Sequence, residues 1–221
     1  MYCYEYPHPA LTTDVVLFSL RDDRLKLLLI QRASDPCQGM WALPGGFVDI
    51  DEDLEDCAKR ELAEETGITD VYLEQLYTFG RPGRDPRERV VSVAYYALAP
   101  SERMRPRAAS DAADVAWYAL NELPPLAFDH DSIITLAHTR LVAKLKYSTL
   151  GFQFMPDRFT LSEMQRVYET LFNEPLDKRN FRKWVLSLER IEATDQMRRN
   201  GNHRPARLYR VKNPDQVDII K

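Results

Sequence analysis

Between Gly46 and Ile68 the chain reads GFVDIDEDLEDCAKRELAEETGI, which sets the carboxylates of Glu52, Glu61, Glu64 and Glu65 and one arginine, Arg60, at ordered intervals. Glu61, Glu64 and Glu65 stand at i, i+3 and i+4, so on a helix they share one face and their oxygens can converge. Carboxylates that close repel one another unless a hard cation with a preference for oxygen sits among them, which points to Mg²⁺ or Mn²⁺. An acidic helix is more often a solvated face, but none of the three glutamates has a lysine or arginine at i+4. Leu54, Ala58, Leu62 and Ala63 also supply an apolar side that would dock the helix on a sheet. Ahead of the helix, Trp41 to Gly46 reads as a turn whose two glycines let the backbone approach whatever sits over the acids. Behind it, Gly67 stands where a helix-ending glycine stands.

Read as Gly46, five residues, Glu52, seven residues, then Arg60-Glu61-Leu62-x-Glu64-Glu65-x-Gly67-Ile68, the stretch matches the Nudix box at every defined position, and the chain resembles the Nudix hydrolases. That resemblance implies cleavage of a nucleoside diphosphate linked to another moiety, by attack of water on phosphorus. It makes Glu61, Glu64 and Glu65 metal ligands, with the Gly46 carbonyl completing the shell, and Glu52 and Arg60 an orienting ion pair. Arg60 read without the resemblance is a surface partner of Glu64 at i+4.

The elements that must position this box extend over roughly residues 8 to 147. Strands are expected at Asp14 to Leu20 and Lys26 to Gln31 around an Asp22-Asp23 turn, then at Val71 to Phe79, Val90 to Ala99 and Val115 to Ala119. A helix is expected from Asp129 to Tyr147, with Ile133, Ile134, Ala137, Leu141 and Leu145 at helical spacing. Arg32 closes the second strand, where it can reach a substrate phosphate or cap the surface. Pro82, fifteen residues after Gly67, resembles the mark of Nudix enzymes acting on ADP-ribose, and is equally ordinary turn chemistry. Arg81, Arg84, Arg87 and Arg89, in or beside that loop, can meet a diphosphate or remain a solvated basic loop. The segment Leu126 to His130 resembles one found in ADP-ribose and sugar-nucleotide enzymes of the family, with His130 read as a helix-start hydrogen-bonding residue. Asp111, Asp114 and Glu122 are candidates for a general base outside the box.

At 221 residues the chain is long for this fold alone, and its charge divides it. Residues 1–146 carry 16 Lys and Arg against 24 Asp and Glu, whereas residues 147–221 carry 14 against 10. The tail opens with Thr160 and Glu163 in capping-box spacing, followed by Leu161, Met164, Val167, Tyr168 and Leu171 at helical intervals. After the Asn173 to Leu176 turn, Asp177 caps a second helix to about Leu188, and a basic hairpin follows, with Leu208 and Val211 facing inward. Helix, turn, helix and hairpin together outline a winged helix. Lys178 to Lys212 hold 11 basic and 3 acidic residues, on the parts that would meet double-stranded DNA. Lys178, Arg179, Arg182 and Lys183 on the helix and Arg198, Arg199 and Arg204 on the wing are the candidate contacts.

The fold class expected is therefore α+β: a Nudix α/β/α sandwich with a mixed sheet in residues 1–147, then a small winged helix-turn-helix domain in residues 148–221. Nudix domain followed by winged helix resembles the Nudix-related transcriptional regulators of NAD metabolism, which sense ADP-ribose or related nucleotides. Tyr6 to Thr12 is similar to that family's entry segment, and Arg204 to Tyr209 to its returning wing strand. Many such regulators carry a damaged box; this one is intact, so loss of catalysis does not follow, and the first reading is a divalent-metal hydrolase or sensor of ADP-ribose-like nucleotides fused to a DNA-binding winged helix. The alternatives are a non-catalytic ADP-ribose-responsive regulator and a hydrolase whose tail only dimerises. A homodimer is expected, because one winged helix reads only a short half-site. Three cysteines without metal or disulfide spacing suit a reducing cytoplasm, with Cys57 a packing residue. Neither a signal peptide nor a membrane-spanning run is evident.

Overall fold

In the computed structural model, residues 5–101, 112–199 and 205–220 are described. They divide into two compact units, one of residues 1–18, 26–98 and 104–139, the other of residues 19–25, 99–103 and 140–221.

The first unit is built on a mixed sheet. Strands β1 (Ala10–Arg21) and β2 (Arg24–Arg32) follow one another through Asp22 and Asp23, both at φ 53°, the left-handed pair a tight two-residue hairpin turn requires. β3 (Trp41–Ala42) and β4 (Gly45–Phe47) occupy the stretch expected as a turn. They are strands because β3 pairs with β2 and β4 pairs antiparallel with β1, Asp14 opposite Gly45. The path runs β3-β2-β1-β6-β5, with β5 at Tyr72–Phe79 and β6 at Val90–Leu98, and β7 (Ala112–Ala119) pairs with β2. β1 and β6 are parallel; the β5 and β7 pairings are antiparallel. β1 and β6 bury near-continuous apolar runs, as strands covered on both faces do.

Helix α1 (Leu54–Thr66) carries the acids. Asp53 caps it by accepting the Glu55 amide, and Gly67 at φ 70° closes it onto the Ala63 carbonyl. Cys57, Ala58 and Leu62 are buried, which fixes the helix's rotation and so the direction of the glutamates. Helix α2 (His130–Leu145) buries Ile133, Ile134, Ala137, Leu141 and Leu145, the five expected positions.

In the second unit a short 3-10 helix, Leu150–Phe154, precedes α3 (Leu161–Phe172), where the Thr160–Glu163 capping box is present in both directions. α4 (Lys178–Ser187) is capped by Asp177. β8 (Ile191–Arg198) and β9 (Ala206–Val211) form the antiparallel wing. Leu208 is buried as expected, whereas Val211 is only half-buried. Tyr168 meets Phe172, Phe181 and Trp184 through ring contacts of 5.3–5.9 Å, so the two helices share one aromatic core. No helix of the described residues is long and apolar enough to cross a membrane.

Candidate functional site

A cleft of about 410 Å³ in the first unit is lined by β1, β4, α1 and the loops bearing Arg84 to Arg87 and Phe128. Glu65, on the buried side of α1, accepts the Gly45 amide at 2.9 Å. Burial outweighs that bond and lifts its carboxyl to about 8. Burial also raises Glu61, the larger influence, while its Arg60 partner opposes. Gly46 lies so near Glu61 that a Cβ there would meet Glu61 Oε1 at 2.2 Å. At Gly45 a Cβ would strike the Thr13 carbonyl at 2.1 Å, so the β1–β4 pairing itself requires glycine.

Arg60 contacts both of the partners foreseen for it. Its Nε and one terminal nitrogen grip Glu52 at 2.7 and 2.8 Å, and the other terminal nitrogen reaches Glu61 at 2.8 Å and Glu64 at 3.2 Å. The Arg60 hydrogen bonds draw Glu52 down to about 2. Of the three glutamates expected to converge, Glu61 and Glu65 line the cleft, while Glu64 is half exposed beside Arg60. The wheel explains this, since i+3 and i+4 fall on opposite sides of position i, and Arg60 holds the outer carboxylate away from its neighbours. Among the described residues no trio of His, Cys, Asp or Glu side chains is gathered at metal-binding spacing. The donor chemistry nonetheless fits a hard divalent cation: the donors are oxygens only, and one of them, Glu65, is a buried carboxylate whose charge is costly without a counter-ion.

Beneath the acids lies a group that spacing did not reveal. Asp14, buried on β1, accepts from Ser92 and stands 3.5 Å from both Arg84 and His130 Nε2. Arg84 is itself buried and bound to Asp129 at 2.6 Å, so it is a buried ion-pair partner and not part of a solvated loop. His130 Nδ1 accepts the Leu43 amide at 2.9 Å, the hydrogen-bonding role expected of it, and burial holds its pKa below the usual value. The signal for Asp14 was present in the sequence as a charged residue inside an apolar strand.

Arg32 lines the cleft, donating to the Pro36 carbonyl at 2.8 Å and lying 5.0 Å from the Phe128 ring centroid. Arg87 lines it too, bound to Asp85 at 2.7 Å and stacked on Phe47 at 5.1 Å. Arg81 is exposed and does not line the cleft, and neither do Asp114 and Glu122; Asp111 lies outside the described residues. Cys57 hydrogen-bonds Thr13 at 3.3 Å, and burial pushes its thiol up to about 11, which suits packing.

In the second unit, α3, α4 and the wing border a notch of about 620 Å³ lined by Ser162, Lys178, Arg182, Arg198 and Arg207 among others. Arg182 reaches Ser162 at 3.4 Å, and its Nε, shielded from solvent, lacks a hydrogen-bond partner. Arg198 is tied to Glu163 at 2.9 Å, which spends part of its charge within the fold. Arg179, Lys183 and Arg199 are exposed outside the notch, and Arg204 lies outside the described residues. Arg207, on the returning strand, was not singled out from the sequence.

Residues 10–137 match the family described as NUDIX domain, and residues 151–211 match the family described as NrtR DNA-binding winged helix domain. The chain is 40% identical over 210 residues to the ADPR responsive transcriptional repressor NtrR of Acinetobacter baylyi, covering 93% of this chain and 83% of that protein. It is 38% identical over 129 residues to an ADP-ribose pyrophosphatase of Methanocaldococcus jannaschii, covering 58% of this chain and 73% of that one. Among solved structures, Shewanella oneidensis NrtR complexed with a 27mer DNA is similar with a TM-score of 0.82 at 40% identity, over 93% of this chain and 95% of that chain.

Proposed function

The chain belongs to the Nudix family and joins that domain to an NrtR-type winged helix, and from this we propose that it is an ADP-ribose-responsive DNA-binding regulator of NAD metabolism that also hydrolyses ADP-ribose-like nucleoside diphosphates. The observation that carries the reading is the pairing, in one chain, of a cleft holding Glu61 and Glu65 beside arginines with a separate notch lined by Lys178, Arg182, Arg198 and Arg207. We assign the two functions to residues 1–147 and 148–221.

In the cleft, Glu61 and Glu65, with Glu64 turned inward and the Gly46 carbonyl, would hold Mg²⁺ or Mn²⁺. Such an ion supplies neutralisation of the pyrophosphate oxygens and a more acidic water when bound. Arg60 and Glu52 fix the direction of Glu61 through their shared hydrogen bonds. Arg32 and Arg87 face the same space and suit the diphosphate. In the tail, phosphate contacts at the notch give affinity for duplex DNA, and exposed Arg179 and Lys183 on α4 can reach base edges. Two copies acting together in the cytoplasm complete the reading, since one winged helix spans only a half-site.

A non-catalytic regulator is the second reading, favoured by Glu64 standing outside the cleft. The experiment has two arms. Cleavage of ADP-ribose to AMP with Mg²⁺, lost by orders of magnitude in Glu64→Gln, supports the hydrolase; ADP-ribose binding without cleavage by the wild type supports the second reading. Titration of duplex DNA from upstream of NAD-metabolism genes, with and without ADP-ribose in Ca²⁺, should give affinities differing by about 5- to 150-fold. Equal affinities would remove the sensor, and absence of specific binding would leave a hydrolase whose tail only dimerises.

A further inference from the structure

Phe128 has φ 55°, in the left-handed region that a bulky aromatic residue rarely enters. Its neighbours hold it there. The Ala127 amide donates to the Trp41 carbonyl at 2.8 Å, Asp129 binds Arg84 at 2.6 Å, and His130 Nδ1 accepts the Leu43 amide at 2.9 Å. A strained conformation fixed from both sides is kept where the side chain's placement matters. Core packing alone does not account for it, because the ring is only half-buried, against Ile30, Ala42 and Ala127, where an aliphatic side chain would serve.

What the ring does instead is meet two cations. The Arg32 guanidinium carbon lies 5.0 Å from its centroid and that of Arg87 5.9 Å. An aromatic face attracts a guanidinium and orients its plane, leaving the N–H edge to serve carboxylate or phosphate. Arg32 is further aimed by its bond to the Pro36 carbonyl, and Arg87 by Asp85. All three side chains line the cleft that holds Glu61 and Glu65.

We propose that Phe128 is a positioning residue that holds Arg32 and Arg87 as a pair facing the cleft, and that this pair recognises the diphosphate of the ligand. This rests on the ADP-ribose reading above. A leucine would cover the same apolar floor without orienting the arginines; a tyrosine would preserve both functions.

The test is calorimetric titration of ADP-ribose, in Ca²⁺ so that hydrolysis is silent, into the full-length chain. Phe128→Leu should bind about 5- to 30-fold more weakly, and Phe128→Tyr within about twofold of wild type. In a chain already carrying Arg32→Met and Arg87→Met, Phe128→Leu should cause no further loss, because the residue acts through those arginines. If Phe128→Leu does not fold, Arg32→Lys and Arg87→Lys carry the test: each keeps the charge, removes the stacked plane and should weaken binding about fivefold. Leucine binding as tightly as phenylalanine, a full loss persisting in the double-methionine background, or unchanged affinity in both lysine variants would each overturn the proposal while leaving ADP-ribose binding intact. Failure of the wild type to bind ADP-ribose overturns both readings.

Discussion

Gly46 and Glu61 share one small volume: a methyl group on Gly46 would come within 2.2 Å of Glu61 Oε1. The atom in the way is the end of a flexible side chain, so Gly46→Ala should fold normally and turn the Glu61 carboxylate out of its place. Mn²⁺ affinity is expected to fall about 10- to 100-fold, as when a ligand's orientation is lost. Titration monitored by the electron paramagnetic resonance of free Mn²⁺ reads this directly, and an unchanged affinity would mean that Glu61 does not hold the ion.

Arg84 is buried and depends on Asp129 at 2.6 Å, with Asp14 more distant at 3.5 Å. Removing one partner of a buried pair leaves a poorly compensated charge, so Asp129→Asn should cost about 2–4 kcal/mol. Urea unfolding measures it; a loss below about 0.5 kcal/mol would place the pair in the class of exposed salt bridges.

His130 is buried, and its Nδ1 is already used as an acceptor for Leu43. Its folded pKa lies below the ordinary 6.5, chiefly from burial, so below that pH the unfolded chain binds the extra proton. Stability should therefore be complete above about pH 6.5 and decline as pH falls, with a contribution to the slope of up to about 1.4 kcal/mol per unit. His130→Asn, which keeps an acceptor and removes the titration, should be less sensitive over the same range. Equal slopes in the two proteins would show that other groups govern the acid limb.

Lys178, Arg182 and Arg207 surround the notch between α3, α4 and the wing. If each meets a DNA phosphate, single alanines should weaken binding on all sequences alike and reduce the slope of log affinity against log salt by roughly one. Arg166, on the exposed side of α3 near Asp23, provides the control and should leave the slope unchanged. Slopes identical to wild type in all three variants would move the DNA contact elsewhere.

Much of the molecule is legible from short-range order. The box spacing placed Glu61, Glu64 and Glu65 on one helix, and Gly67, Thr160 and Asp177 marked helix ends because capping is settled within a few residues. Apolar periodicity likewise named the buried face of α2 and Leu208 of the wing. The sequence by itself therefore determined which groups the chain possesses and which local element carries each. Tertiary structure alone decided which of them meet. Arg84 finds Asp129 across 45 residues and Leu43 finds His130 across 87, through strand pairings and loop closures that no local pattern encodes. The same holds for Phe128 between Arg32 and Arg87, and for Trp41–Ala42 and Gly45–Phe47, which become strands only because β2 and β1 offer them partners. Glu64 turns outward for a related reason: sequence spacing fixes its angle on the helix, but Arg60 and the burial of its neighbours decide which carboxylates face the cleft.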